Sequence, residues 1–142
     1  MWLAIHILHI LAFLGCLSAS GIKLGILVSP ALDAAAVGSL RKLDAISLSS
    51  SVLIVVTGII MLAAEPGRAA HLSEAAFQLK ILLFVVASSL VVTTKGFLRR
   101  TTVPADGQSI ARPNWVRLVL LIDFASIIVV AATGAAIAHG VL

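Results

Sequence analysis

The chain has 142 residues, of which 61% are hydrophobic and 11% charged, and ten Lys and Arg against six Asp and Glu give a formal net charge of +4. Soluble domains carry about 25% charged residues, so this composition excludes a soluble globular protein and indicates an integral membrane protein. The basic residues cluster in two predicted loops and do not cover one face. We therefore expect a lipid bilayer as partner and no nucleic acid.

Four apolar segments follow one another along the chain, each on the order of 20 to 25 residues, the length that crosses a bilayer. Because their connections are short, consecutive segments should be antiparallel neighbours. The sequence thus predicts an all-α fold, one integral membrane four-helix up-down bundle over residues 1–142. The predicted spans cover about 2–28, 43–64, 74–94 and 115–138.

Helix-breaking residues separate these spans. Pro30 ends the first span, and the mildly amphipathic segment after it predicts a short surface helix before the second span begins near Leu43. Pro66 and its neighbours end the second span. The polar segment 95–114 predicts the longest loop.

The distribution of basic residues predicts the orientation. Arg41 and Lys42 lie in the first connection and five more basic residues lie in or beside the third, whereas the second connection has only Arg68. The positive-inside rule places the first and third connections in the cytoplasm. We therefore expect a multi-pass protein of the bacterial inner (cytoplasmic) membrane with both termini in the periplasm.

Polar residues inside the first span form a narrow stripe. At about 100° per residue, His9, Cys16, Ser20 and Lys23 fall within roughly 60° of one another. An ionisable group at membrane depth costs about 2.5 to 3.5 kcal/mol on insertion scales. The stripe should therefore face protein, and each charged group in it needs a partner.

Lys23, Asp44 and Asp123 form a predicted inner layer, because a rise of about 1.5 Å per residue places them at similar depths in the cytoplasmic half. Pairing Lys23 with Asp44 or with Asp123 would neutralise charges that neither helix could bury in the membrane alone. Such a pair would also fix which helices are neighbours. We expect structural charge pairing here. A proton or quinone path is the alternative, although the sequence shows no acidic chain that continues outward.

His9 and Lys80 form a predicted outer layer in the periplasmic half. A neutral imidazole among apolar neighbours calls for a hydrogen-bond partner or a metal, and helical bundles often hold haem. We therefore expect a haem, with His9 as the iron ligand and Lys80 near a propionate. Alternatively, Lys80 snorkels to the interface, and His6 and His139 are merely solvated.

Further candidate ligands lie in the same half. His6 comes one helical turn before His9, and Met61, at the outer end of the second span, could be the sixth haem ligand. Copper is the alternative cofactor, because imidazole and thioether groups suit it. His6, His9, Met61, His71 and His139 could all lie on the periplasmic side.

Short motifs stand on three of the spans and at their ends: LHILA at 8–12, RKLD at 41–44, TG at 57–58, FQLKILLF at 77–84 and FLRR at 97–100. The motifs are short, but the similarity covers nearly the whole chain. They resemble a bacterial family of predicted membrane proteins of unknown function, domain of unknown function 2214.

That family is in turn similar to the HemJ-type protoporphyrinogen oxidases and to the membrane domain of CopD copper-resistance proteins. In the HemJ type, a first-span His and a third-span Lys are essential and haem b is bound. The resemblance assigns these positions to His9 and Lys80. The chain departs from the HemJ pattern at Gln78, where Trp-Leu-His would precede the lysine, and in the stretch after His9, which lacks the Trp and the Pro-Arg-rich segment.

These observations predict an integral membrane protein that binds haem b and acts in membrane electron transfer or as a small subunit of a larger redox complex or homo-oligomer. One alternative is a HemJ-like oxidase of tetrapyrroles. The other is a cofactor-free membrane scaffold or accessory subunit, in which the buried charges serve only helix pairing.

Overall fold

The computed structural model describes residues 2–64, 75–102 and 108–138, and it contains four long helices. Each is long and apolar enough to cross a bilayer, which confirms the predicted all-α four-helix membrane fold. The helices are α1 (Trp2–Ile26), α2 (Ala34–Ala64), α3 (Ala75–Arg100) and α4 (Asn114–Ala138).

Helix α2 is one continuous helix of 31 residues, so the predicted short surface helix and the second span are not separate elements. It begins at Ala34 because Asp33 caps it. The Asp33 carboxylate accepts a hydrogen bond from the Ala36 N–H at 2.7 Å, which satisfies a donor that the first turn would leave free.

Helix α3 also extends beyond its predicted end and includes Arg100, inside the segment expected to be a loop. Arg41 of α2 supports this extension. Its guanidinium donates to the Leu98 carbonyl at 3.1 and 2.9 Å and to the Thr101 carbonyl at 2.8 Å. Carbonyls at the end of a helix lack partners within the helix, so these bonds stabilise the last turn of α3.

The bundle consists of two antiparallel hairpins. Helix α1 packs mainly on α2, and α3 packs mainly on α4, while contacts of α2 with α3 and of α1 with α4 join the two hairpins. Large apolar side chains cover the outer surface; Leu3, for example, is 74% exposed. In a membrane these side chains contact lipid.

We call the end of the bundle that holds the α1–α2 and α3–α4 connections the hairpin end. Two short strands join these connections: β1 (Ala31–Leu32) pairs antiparallel with β2 (Ile110–Ala111). Next to them, Arg112 donates its backbone N–H to the Pro30 carbonyl at 2.9 Å. A cluster of buried apolar residues packs beneath the strands, made of Leu27, Leu32, Val37, Leu40, Leu98, Val116 and Leu120.

The opposite end, where α1 and α3 begin and α2 and α4 end, is the terminal end, and its packing is different. None of the described side chains in 2–11, 58–64, 77–86 or 131–134 is buried. The helices are therefore tightly joined at the hairpin end and only loosely packed at the terminal end, which holds both His9 and Lys80.

Candidate functional site

His9 binds Thr57 across the α1–α2 interface, with 2.7 Å between the imidazole Nδ1 and the threonine Oγ1. The Thr57 hydroxyl also donates to the Leu53 carbonyl, one turn earlier in α2, at 2.7 Å. A hydroxyl has one proton to donate, so Thr57 accepts from an Nδ1–H group. This places the proton on Nδ1 and leaves Nε2 with a free lone pair, the form in which histidine binds metals.

Two glycines lie next to His9 and Lys80 at the terminal end. A Cβ at Gly58 would lie 3.7 Å from Cε1 of His9, and a Cβ at Gly134 of α4 would lie 3.3 Å from Nζ of Lys80. The lysine side chain thus lies against the α4 backbone. Glycine at 134 leaves the room that its ammonium occupies.

Lys80 of α3 and His9 of α1 lie at the same end of the bundle. Both side chains are half-buried. Within 2–64, 75–102 and 108–138, the structure shows no ion pair for Lys80. The terminal end therefore combines the Lys80 side chain with the Nε2 lone pair of His9, and no described carboxylate pairs with Lys80.

His6 is bound to its own helix. Its Nδ1 donates to the Trp2 carbonyl at 3.0 Å, and the two rings meet edge to face with centroids 6.3 Å apart. Met61 lies partly buried near the end of α2. Among the described residues, no hydrogen bond joins either side chain to His9, and their roles as ligands stay predictions.

A copper site would draw on His71 and His139, which lie outside the described residues. Among the residues that are described, no group of three or more His, Cys, Asp or Glu side chains could hold a metal ion. Copper therefore stays a prediction that depends on His6, His9 and Met61.

A small cavity lies at mid-height between the four helices. Its volume is about 10 Å³, enough for about one water molecule. Cys16, Ser51, Ser88 and Asp123 are its polar lining residues, and the Cys16 sulfur lies 3.9 Å from the Ser51 hydroxyl. Because a haem is many times larger, this part of the bundle has no room for one.

The inner layer is deeply buried and uses both hairpins. Lys23 of α1 pairs with Asp44 of α2, with 3.1 Å between Nζ and Oδ1. Asp123 of α4 instead accepts a hydrogen bond from the Ser20 hydroxyl of α1, at 2.6 Å. The sequence predicted Asp44 or Asp123 as the partner of Lys23, and in the structure the ammonium pairs with Asp44. The contacts link α1 to α2 and α1 to α4.

Comparison with known proteins gives one result. A family model described as "Predicted membrane protein (DUF2214)" matches residues 1–142, the whole chain. No curated protein and no solved structure matches it. The predicted family is confirmed, while the more distant similarity to HemJ and CopD proteins stays a prediction.

Proposed function

The chain belongs to the DUF2214 family of predicted membrane proteins, and we propose that it binds haem b in its terminal half, with His9 as the iron ligand. The observation that supports this most strongly is the 2.7 Å contact between His9 and Thr57. Metal-binding histidines commonly donate their other ring N–H to a neighbouring acceptor, which fixes the tautomer and the ring orientation. Thr57 supplies that acceptor.

Lys80 and the loose packing of the terminal half also suit this cofactor. A half-buried ammonium without a described carboxylate partner is suited to a haem propionate. The described side chains in 2–11, 58–64, 77–86 and 131–134 are not buried, whereas the mid-height cavity of about 10 Å³ excludes a haem. We therefore propose haem b at the terminal end, which offers an imidazole and an ammonium, and not at mid-height.

When bound, haem b would supply one-electron redox chemistry. We infer a role in membrane electron transfer, or as a small subunit of a redox complex, because the four helices use most of the 142 residues. So little mass outside the membrane favours a partner protein that delivers or accepts electrons. The same His9–Lys80 pair would serve a HemJ-like oxidase, and complementation of a strain that lacks protoporphyrinogen oxidase distinguishes the two activities.

The orientation follows from the described basic residues. Apart from Lys23 and Lys80 inside the helices, they all lie near the hairpin end, as Arg41, Lys42, Lys95, Arg99, Arg100, Arg112 and Arg117. The positive-inside rule then places the hairpin end in the cytoplasm and the haem site on the periplasmic side of the inner membrane. A reporter fused after Leu142 is expected to be active only in the periplasm.

Absorption spectroscopy tests the haem proposal. We expect protein purified in detergent from haem-replete cells to show a Soret band that shifts on reduction with dithionite. His9→Ala should abolish it and Lys80→Gln should weaken haem retention. His6→Ala is the matched control, because His6 is bonded to its own helix, and it should keep the band.

Two results would overturn the proposal. If the wild-type protein shows no Soret band, it carries no haem, and metal analysis then decides between copper and a cofactor-free scaffold. If the band survives in His9→Ala, another residue is the ligand.

A further inference from the structure

The buried layer below the cavity has more acidic than basic groups. Lys23, Asp44 and Asp123 are all at most 1% exposed, and they contribute one ammonium against two carboxyl groups. Asp44 is bonded to the ammonium. Asp123 is bonded only to the neutral hydroxyl of Ser20. An isolated carboxylate away from water is very costly, and a buried acid usually becomes neutral by taking up a proton.

Other charged groups around Asp123 do not remove this imbalance. Lys23 of α1 and Asp44 of α2 act on it electrostatically with opposite signs. Lys95 of α3 is an electrostatic neighbour of Asp44. Cys16 of α1 is a further titratable neighbour of Asp123. In the described part of the chain, no cation contacts the Asp123 carboxyl group.

Several buried oxygen atoms in this region have no hydrogen-bond partner among the described residues. They are Oδ1 of Asp123, Oδ2 of Asp44, Oγ of Ser47 and Oγ of Ser88. A buried polar atom left unpaired costs about 1 to 3 kcal/mol. Asp123 and Ser88 both line the mid-height cavity, whose size suits one water molecule. A water there, and a proton on Asp123, would satisfy atoms that protein groups leave unpaired.

We propose that Asp123 is an exchangeable proton-binding site, protonated at neutral pH, which exchanges its proton through the mid-height cavity that it lines. The proton resides on Oδ1, while Oδ2 keeps its bond to Ser20. With Asp123 neutral, the remaining Lys23–Asp44 pair is balanced. The site depends on neither His9 nor haem, and it would give the bundle a means to bind or relay protons within the membrane.

Infrared difference spectroscopy of the full-length protein in liposomes tests this directly. Wild-type protein should show the carbonyl stretch of a protonated carboxylic acid at neutral pH. Asp123→Asn should lose that band, and Asp123→Glu should shift it. Asp33→Asn is the matched control, because Asp33 is exposed at the hairpin end and should leave the band unchanged.

The route is tested by transfer into D2O. The band should shift as the proton exchanges, and Ser88→Val, which fills the cavity, should slow that exchange at least several-fold. Ser89→Val is the control, because Ser89 is exposed and its hydroxyl is bonded to the Val85 carbonyl of its own helix. It should exchange at the wild-type rate.

Four results would overturn the inference. In the first experiment, these are absence of the band from wild-type protein at neutral pH and persistence of the band in Asp123→Asn. In the second, they are a band that never exchanges in D2O and equal exchange rates in Ser88→Val and wild type. Loss of the band on adding sodium chloride, but not choline chloride, would identify a sodium site and would also contradict the assignment of a proton.

Discussion

The two halves of the bundle are built differently, although the same four helices run through both. At the hairpin end, a strand pair, the Arg41 hydrogen bonds and a cluster of buried leucines and valines join all four helices. At the terminal end no described side chain is buried, and polar side chains rest against glycines. Stability is therefore concentrated at one end, which leaves the other free to carry a ligand.

Loss of the buried ammonium should have the largest effect on folding. Lys23→Met leaves the buried Asp44 carboxylate without its cation, and breaking a buried pair costs about 3 to 5 kcal/mol. Unfolding in detergent should show this loss, whereas Lys42→Met, at an exposed site of α2, should change stability by less than about 0.5 kcal/mol. Equal stability of the two variants would show that the inner layer does not hold the helices together.

The double variant Lys23→Met/Asp44→Leu sharpens this comparison. Replacing a buried ion pair with apolar residues of similar volume is often neutral or stabilising. We expect most of the stability to return, while helix content by circular dichroism stays unchanged. A double variant as unstable as Lys23→Met alone would mean that the pair does more than balance charge.

Loss of the hydrogen bond between His9 and Thr57 should lower haem affinity but leave the fold intact. Thr57→Val removes the acceptor for His9 Nδ1, and loss of such a supporting bond typically lowers metal affinity by about 10- to 100-fold. Haem titration of the apoprotein should detect this, and Thr57→Ser should keep near wild-type affinity. Unchanged affinity in Thr57→Val would show that the bond does not orient a haem ligand.

The contribution of Arg41 to the hairpin end is expected to be moderate. Arg41→Ala removes the bonds to the Leu98 and Thr101 carbonyls. The side chain is exposed, so solvent screening limits the loss to about 1 kcal/mol. Arg41→Lys should not restore it, because an ammonium cannot reproduce the planar fork. Lys42→Ala is the neighbouring control, and an equal loss in that variant would exclude a specific role for Arg41.

The smallest effect is expected at Gly134. Gly134→Ala puts a Cβ 3.3 Å from the Lys80 ammonium nitrogen, but that flexible end of the side chain can move, and alanine favours helix by about 0.5 to 1 kcal/mol. We expect the free energy of unfolding to change by less than about 1 kcal/mol, with weaker haem retention. Gly38→Ala, which has open space around it, should stabilise the fold and leave haem unaffected.

Much of the fold could be predicted because it depends on local signals. Apolar segments of membrane-spanning length identified the helices, and turn residues separated them. The pairing of two-residue strands could not be predicted, since it joins positions far apart in sequence and has no local pattern. The early start of α2 was missed for a different reason. Asp33 is a recognisable cap, but the amphipathic segment after it also predicts a separate surface helix.

The candidate site was only partly accessible from the sequence. Counting residues along each span placed Lys23 at the depth of Asp44 and His9 at that of Lys80, because depth follows from helical rise. Which partner a side chain contacts depends on how each helix is rotated, and that follows from packing. The Thr57 hydroxyl, 48 positions from His9, and the unpaired oxygen of Asp123 therefore became visible only in the structure.

The proposal that the terminal half is a ligand site is tested most directly by one measurement, the reduced absorption spectrum of His9→Ala beside that of His6→Ala. We expect a folded His9→Ala protein without a Soret band and a His6→Ala protein that keeps the wild-type spectrum. A Soret band of equal intensity in both variants would contradict the assignment of His9.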